Sequence, residues 1–421
     1  MLRLEHIQPF NFTSDELSLR QPSAPNRSLT EKDDQWVTAT QQYALIDQAA
    51  LQNSVQTQSN EAPRPRFSGD SNALLGCLLG GALGDACGAP VEFLEWTEIQ
   101  QRFGELGIQD LQPAYGRLGS VTDDTQMMLF TAEGLLRAYV GEHQDGATDT
   151  LNLVHHAYMR WLRTQNEQHN HDITGITIDG WLVQERRLWA RRAPSMTCIK
   201  ALKSAQQLGE MANNDSKGCA GLVRVAPCAF MPNPFACAVQ FAQLTQGHPT
   251  GYLAAGLFAD ILARLWLTPE LSLLTATSNS LDEHQDKAGI EETYWLLQKV
   301  LSLHNRGIEP TAQLIETQLG SGWMADETLA IGLWCALSAT SFTDGIFKAV
   351  NHSGDSDGTG LITGHFLGLL LGPQTMPSEW LSHLELRSSI EQIASDLSLT
   401  SDPANLNDSS LDAAFWQRYP S

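Results

Sequence analysis

The sequence predicts an all-α protein: a compact single-domain helical fold with an N-terminal extension. Three observations carry this expectation. From Asn72 onward apolar residues recur at helical spacing between Gly, Pro and Asn punctuation, and β-branched alternation is almost absent. Two segments, 251–267 and 325–340, are apolar nearly all round and so belong at the centre of a helix-on-helix core. With 42% hydrophobic and 18% charged residues over 421 positions, the chain can bury such a core.

Residues 1–70 are set apart by their Ser, Gln, Asn and Pro content and read as an extension or partner-binding arm, closed by the turn-prone 61–70. Within it, Trp36, Val37, Tyr43, Ala44, Leu45, Ile46 and Leu51 predict one amphipathic helix over 31–52, and two prolines predict an extended 17–27. The main domain is expected over 71–400. Its helices are predicted at 73–84, 125–139, 150–164, 197–208, 234–245, 251–267, 291–303, 325–340, 341–351 and 361–371. Residues 401–421 read as a C-terminal tail.

With 26 basic and 48 acidic residues the net charge is −22, which argues against nucleic acid as a partner, because phosphate binding needs clustered Lys and Arg. The most apolar stretches, 73–84 and 361–372, are each about a dozen residues, short of the ~20 that span a bilayer, so no membrane association is expected. Seven cysteines form no C-x-x-C pair and several sit in apolar runs, which reads as free thiols in a reducing compartment. No apolar signal segment opens the chain, and a cytoplasmic location is expected.

Three acidic motifs carry the chemistry. In Gly119-Ser-Val-Thr-Asp-Asp-Thr-Gln-Met127, Thr122 can cap a helix whose first turn holds Asp123 and Asp124; these carboxylates converge on one ion only if the helix end itself faces the site. In Asn351-His-Ser-Gly-Asp-Ser-Asp-Gly-Thr-Gly360, Asp355 and Asp357 share a glycine-bounded turn ahead of an apolar helix. An EF-hand is excluded there, because Phe366 stands at position twelve where Glu is required, and a P-loop is excluded because no Lys follows. In Gly84-Asp-Ala-Cys-Gly-Ala-Pro-Val-Glu-Phe93, Gly88 and Pro90 stop a helix and present Glu92. Taken together this is an oxygen-only ligand set, which selects hard cations, Mg²⁺ or Mn²⁺ before zinc.

These motifs, in order with Asp179-Gly-Trp-Leu182, Ala190-Arg-Arg-Ala-Pro194, Ser216-Lys-Gly-Cys219, Arg224-Val-Ala-Pro227 and Gly247-His-Pro-Thr250, resemble the ADP-ribosylglycohydrolases of the dinitrogenase reductase-activating glycohydrolase type over residues 72–397. The resemblance implies a compact all-α fold with two Mg²⁺ or Mn²⁺ ions. Thr122, Asp123, Asp124, Asp355 and Asp357 match the metal ligands, Glu92 an acid beside the catalytic ribose, and Asp179 an aspartate that some members place near the scissile bond. Lys217, Gly218, Cys219, Ala220 and Gly221 take the place of the diphosphate-holding loop, with His248 as a further substrate-binding candidate. Where the family usually has Ser or Thr as a ligand this chain has Gly358, which leaves Thr359 as the candidate hydroxyl. His365 replaces a usual Asn, Ala220 a usual Gly and Gln246 a usual His.

The implied activity is metal-dependent removal of ADP-ribose from an ADP-ribosylated protein, most readily one modified on arginine. Some members with a long N-terminal arm resemble immunity proteins, so residues 1–70 are expected to engage an ADP-ribosyltransferase toxin. The alternative is a non-catalytic toxin-binding immunity module whose hydrolase core has decayed at Gly358; a two-metal phosphohydrolase ranks third. Trp189, Trp323 and Trp334 read as core aromatics, and Arg186, Arg187, Arg191 and Arg192 as a solvated basic cluster.

Overall fold

The computed structural model describes residues 71–401 and 413–420, apart from 147, 172, 174 and 175. The readings made for 1–70, including the helix over 31–52, lie outside the described residues. Along the chain run α1 (Ser71–Gly88), α2 (Trp96–Phe103), a hairpin of β1 (Pro113–Ala114) and β2 (Arg117–Leu118), α3 (Asp123–Asp145), α4 (Thr150–Thr164), α5 (Trp181–Gln184), α6 (Met196–Ser204) and α7 (Pro234–Gln243). There follow α8 (Pro249–Leu267), α9 (Leu273–His284), α10 (Glu291–Asn305), α11 (Ala312–Gln318), α12 (Ala325–Leu337), α13 (Phe342–Val350), α14 (Ser356–Leu371), α15 (Ser378–His383), α16 (Arg387–Ser401) and α17 (Ala413–Arg418). The architecture is all-α, and the hairpin is the only sheet among the described residues.

Glycine spacing decides the central packing. Gly76, Gly80 and Gly84 recur every fourth residue and so line one face of α1. They meet Gly368, Gly364 and Gly360 of the antiparallel α14, and a Cβ at Gly80 or Gly84 would collide with the carbonyl oxygen of Gly364 or Gly360. The two helices therefore touch backbone to backbone. As a result, the last turn of α1, with Asp85, lies beside the first turn of α14, with Asp357.

The two segments predicted to be central are central. Helix α12 packs against α8, α10 and α14, and α8 also packs on α7 and α9. By length and composition α8 could cross a membrane, with a mean hydropathy of 1.2, but 78% of that stretch is buried inside the fold. Helix α3 packs along α4 and against α16. Beyond α16, Phe415 and Tyr419 are buried and the Tyr419 hydroxyl donates to Asp396 at 2.7 Å.

Several boundaries differ from expectation. Helix α14 begins at Ser356, five residues before the predicted 361, because Asp355 takes the N-cap position and the acidic Asp357 suits the first turn. Helix α6 ends at Ser204, short of the predicted 208. Helix α9 was not among the candidates, although Ser272 caps it by accepting the Thr275 N–H at 3.0 Å.

Candidate active site

Two helix N-termini carry the acids. Thr122 caps α3, its side chain accepting the Asp124 N–H at 3.3 Å, so Asp123 and Asp124 occupy the first turn. At the start of α14, Asp355 stands at the N-cap and Asp357 in the first turn. Asp85 fixes the start of α3 from below. Fully buried, it accepts the Thr122 N–H with both oxygens at 3.0 Å, the Thr125 N–H at 3.3 Å, and the Thr125 hydroxyl. Sequence reasoning gave Asp85 no role; the signal was an acid inside an otherwise apolar helix.

Glu92 follows the turn that ends α1, and its carboxylate groups with Asp355 and Asp357, each offering an oxygen within 4.8 Å of the others. Among the described residues no Lys or Arg pairs with any of these acids. Burial first, then the charges of Asp357, Asp355, Asp123 and Asp85, hold the Glu92 carboxyl well above the ordinary range. Asp124 is raised by burial and then by Asp123, and Asp85 is pushed to about 7 by burial and then by Asp357. Glu92 Oε2 and Asp357 Oδ1 are buried without a hydrogen-bond partner. An all-oxygen donor set that has no basic partner and repels itself fits hard divalent cations.

The glycine-rich loop is brought to the same place. The Cys219 thiol donates to Asp355 Oδ2 at 2.9 Å, its N–H donates to the Trp323 carbonyl at 3.1 Å, and Gly218 bridges to Met324. Ala220 and Gly221 are buried in the short turn that follows. The Lys217 ammonium is held by Glu292 at 2.6 Å, an acid that also accepts the Thr250 hydroxyl at 2.6 Å. His248 caps α8, its Nδ1 accepting the Thr250 N–H at 3.1 Å.

Two candidates are placed otherwise than expected. Because α14 starts early, Thr359 lies inside it and its hydroxyl donates to the carbonyls of Asp355 and Ala349, both at 2.8 Å, so it is engaged away from the acids. Gly358 instead leaves room for Asp355: a Cβ there would come within 2.9 Å of Asp355 Oδ2. Asp179 pairs with Arg137 at 3.0 Å. Arg137 lies fourteen residues along α3 from Asp123, about 20 Å away at ~1.5 Å per residue. Asp179 does not join the acidic centre.

The family model described as ADP-ribosylglycohydrolase matches residues 68–406. The chain belongs to the ADP-ribosylglycohydrolase family. It is 27% identical over 337 residues to an ADP-ribosylarginine hydrolase of Pseudomonas putida, covering 76% of each chain. It is 26% identical over 328 residues to the ADP-ribosyl-[dinitrogen reductase] glycohydrolase of Rhodospirillum rubrum, covering 74% of this chain and 90% of that one. A solved structure titled an ADP-ribosylglycohydrolase-related protein complex shares the fold, with a TM-score of 0.56 and 23% identity over 79% of this chain and 99% of the other.

This ADP-ribosylglycohydrolase has aromatic rings at the rim of its acids that sequence reasoning missed. Phe93, next to Glu92, is 65% exposed and stacks on Trp323 with ring centroids 5.3 Å apart. Trp323 therefore departs from its expected core place, whereas Trp334 is fully buried as expected. Tyr115 sits at the tip of the hairpin under the Arg192 guanidinium, 4.8 Å from its ring centroid. Arg192 also reaches Glu385 at 3.5 Å, and its carbonyl accepts the Asp123 N–H at 3.0 Å, so one of the basic residues read as solvated flanks the site.

Proposed function

We propose that this chain hydrolyses the N-glycosidic bond joining ADP-ribose to an arginine side chain of a protein, with two divalent cations, Mg²⁺ or Mn²⁺, held by Thr122, Asp123, Asp124, Asp355 and Asp357. The observation that carries the reading is the grouping of Glu92, Asp355 and Asp357, with Asp123 and Asp124 in the first turn of a second helix and no basic partner for these acids among the described residues. Relatives named ADP-ribosylarginine hydrolase support the linkage, and one named for ADP-ribosyl-[dinitrogen reductase] supports a protein substrate.

When bound, the cations would supply a template for the ribose hydroxyls and Lewis acidity toward a water. Glu92 Oε2, buried and unpartnered, is the oxygen assigned to take a proton from that water. The ribose C1″–N bond breaks through an oxocarbenium-like state that the carboxylates stabilise. The guanidine leaves with the bonding electron pair and takes up the proton, so Glu92 returns to its starting form. Asp85 holds the N-terminus of α3 in place through its bonds to Thr122 and Thr125. Residues 217–221 are assigned to the diphosphate, with the Lys217 charge shared with Glu292.

The test is release of free ADP-ribose from an arginine-ADP-ribosylated protein with Mg²⁺, with chelator, and with Asp123→Ala plus Asp124→Ala. Metal-dependent release that the substitutions abolish supports the reading; no release despite bound metal overturns it. In that case the non-catalytic toxin-binding module takes its place, and Gly358→Ser, which requires Asp355 to move aside, should leave metal affinity unimproved. For residues 1–70 we keep the proposal of an ADP-ribosyltransferase toxin as partner. Unchanged toxin affinity after deletion of 1–70 would sink it.

A further inference from the structure

Phe93 and Tyr115 share an uncommon property. Both are bulky aromatics in left-handed backbone, at φ 69 and φ 50, and both are exposed, 65% and 42% respectively. Tyr115 is followed by Gly116 at φ 83 in the two-residue turn between β1 and β2, a turn whose first position ordinarily takes Asn, Asp or Gly. An L-aromatic there costs backbone energy that ring burial does not offset, because neither ring is buried.

Each ring is tied to one of the two helix N-termini that carry the acids. Phe93 follows Glu92 and lies on Trp323, and Trp323 is tied through the Cys219 N–H and thiol to Asp355. Tyr115 is tied to the other side of the acids: its ring lies under the Arg192 guanidinium, and the Arg192 carbonyl accepts the Asp123 N–H at 3.0 Å. The Tyr115 ring thus already carries one guanidinium.

We propose that Phe93, backed by Trp323, and Tyr115 form an aromatic collar that receives the guanidinium of the ADP-ribosylated arginine and so sets linkage specificity. This rests on the arginine-linked reading above. An N-glycosylated guanidinium is flat and keeps a delocalised positive charge, so it stacks on aromatic faces and is drawn by the acids beyond them. A serine linkage presents neither a plane nor a charge. The collar therefore acts on the leaving-group side and leaves the affinity for ADP-ribose itself unchanged.

The test uses the full chain with Mg²⁺ and two variants, Phe93→Asn, which removes the ring yet tolerates left-handed backbone, and Phe93→Tyr, which keeps a ring. Steady-state kinetics are measured on an arginine-linked ADP-ribosyl peptide, together with the Kd for free ADP-ribose. Phe93→Asn should lower kcat/KM about tenfold, through KM, with the ADP-ribose Kd unchanged, and Phe93→Tyr should restore it. A loss confined to kcat, a parallel loss of ADP-ribose affinity, or wild-type kinetics in Phe93→Asn would overturn the collar. A wild-type chain that releases nothing from arginine would sink the proposed function and the collar with it, whereas an active wild type with an unaffected Phe93→Asn sinks the collar alone.

Discussion

Helix α3 carries two buried ionic clusters built on opposite principles. From its middle onward, the fully buried Glu133 accepts two bonds from the Arg160 guanidinium at 2.7 and 3.1 Å, and Arg137 lies 3.9 Å from Glu133 and 3.0 Å from Asp179. Each acid there has an arginine, and the desolvation cost is offset inside the fold. At its N-terminus, Asp123 and Asp124 face Asp355, Asp357 and Glu92 with no such partner. Like charges buried together are relieved by taking up protons or by a cation from outside, so the unmatched end suits a ligand and the matched end holds the helix.

The substitution with the largest expected effect is Asp357→Asn. It should cut ADP-ribose release by on the order of 10³-fold or more, about 4 kcal/mol of transition-state stabilisation. The metal-free protein should melt at the same temperature or higher, since a buried unpartnered charge has gone. The rise in Tm on adding Mn²⁺ should shrink as affinity falls. Arg160→Met should do the reverse: about 3 kcal/mol of stability lost, because Glu133 is left with only the more distant Arg137, while the specific activity of the folded fraction is retained. If Arg160→Met abolished activity in folded protein, the division between the two ends would be broken.

How much of this was legible in the sequence depends on what each residue announces. Thr122-Asp-Asp reads as a helix start because hydroxyl and acids suit an N-terminus, and that is what the structure contains. Asp355 and Asp357 were found as a pair, but the glycines around them hid the early start of α14, and with it the engaged hydroxyl of Thr359. Asp179 was assigned from motif order alone, and order says nothing about which end of α3 a loop reaches. Asp85 was passed over because its work, holding the Thr122 and Thr125 N–H groups, is with backbone that sequence does not display. Phe93 and Tyr115 escaped notice because a left-handed aromatic carries no compositional mark.

A smaller effect lies in the apolar seam that brings the acids together. His365 of α14 crosses to the Cys77 carbonyl at 2.8 Å and lies against Gly81; burial lowers its pKa from 6.5 to about 4. The unfolded chain therefore binds a proton at higher pH than the folded one, and stability is full above pH 6.5 and falls as pH drops toward 4. Between pH 6.5 and pH 5 His365 should contribute a loss of about 2 kcal/mol. His155 and His156 are also lowered to about 4 and titrate in the same direction. Urea unfolding of His365→Asn at the two pH values should thus show a reduced slope, not a flat one. An unchanged slope would mean that the seam opens to water without unfolding.

The smallest effect is the one that tests the comparison most directly. Asp179→Asn removes the acid that motif order placed near the scissile bond and that the structure pairs with Arg137 in the matched cluster. Its side chain is 46% exposed, so the pair is screened by solvent and the stability change should stay within about 1 kcal/mol. Activity should stay within about twofold, because Asp179 is held by Arg137, whose place on α3 is about 20 Å from Asp123, and so it neither touches the ribose nor exchanges a proton with it. A hundredfold loss with an unchanged melting temperature could not come from the matched cluster as an internal support. It would require the loop carrying Asp179 to travel to the acids during turnover, and the division of α3 into a supporting and a reacting end would then describe only the resting enzyme.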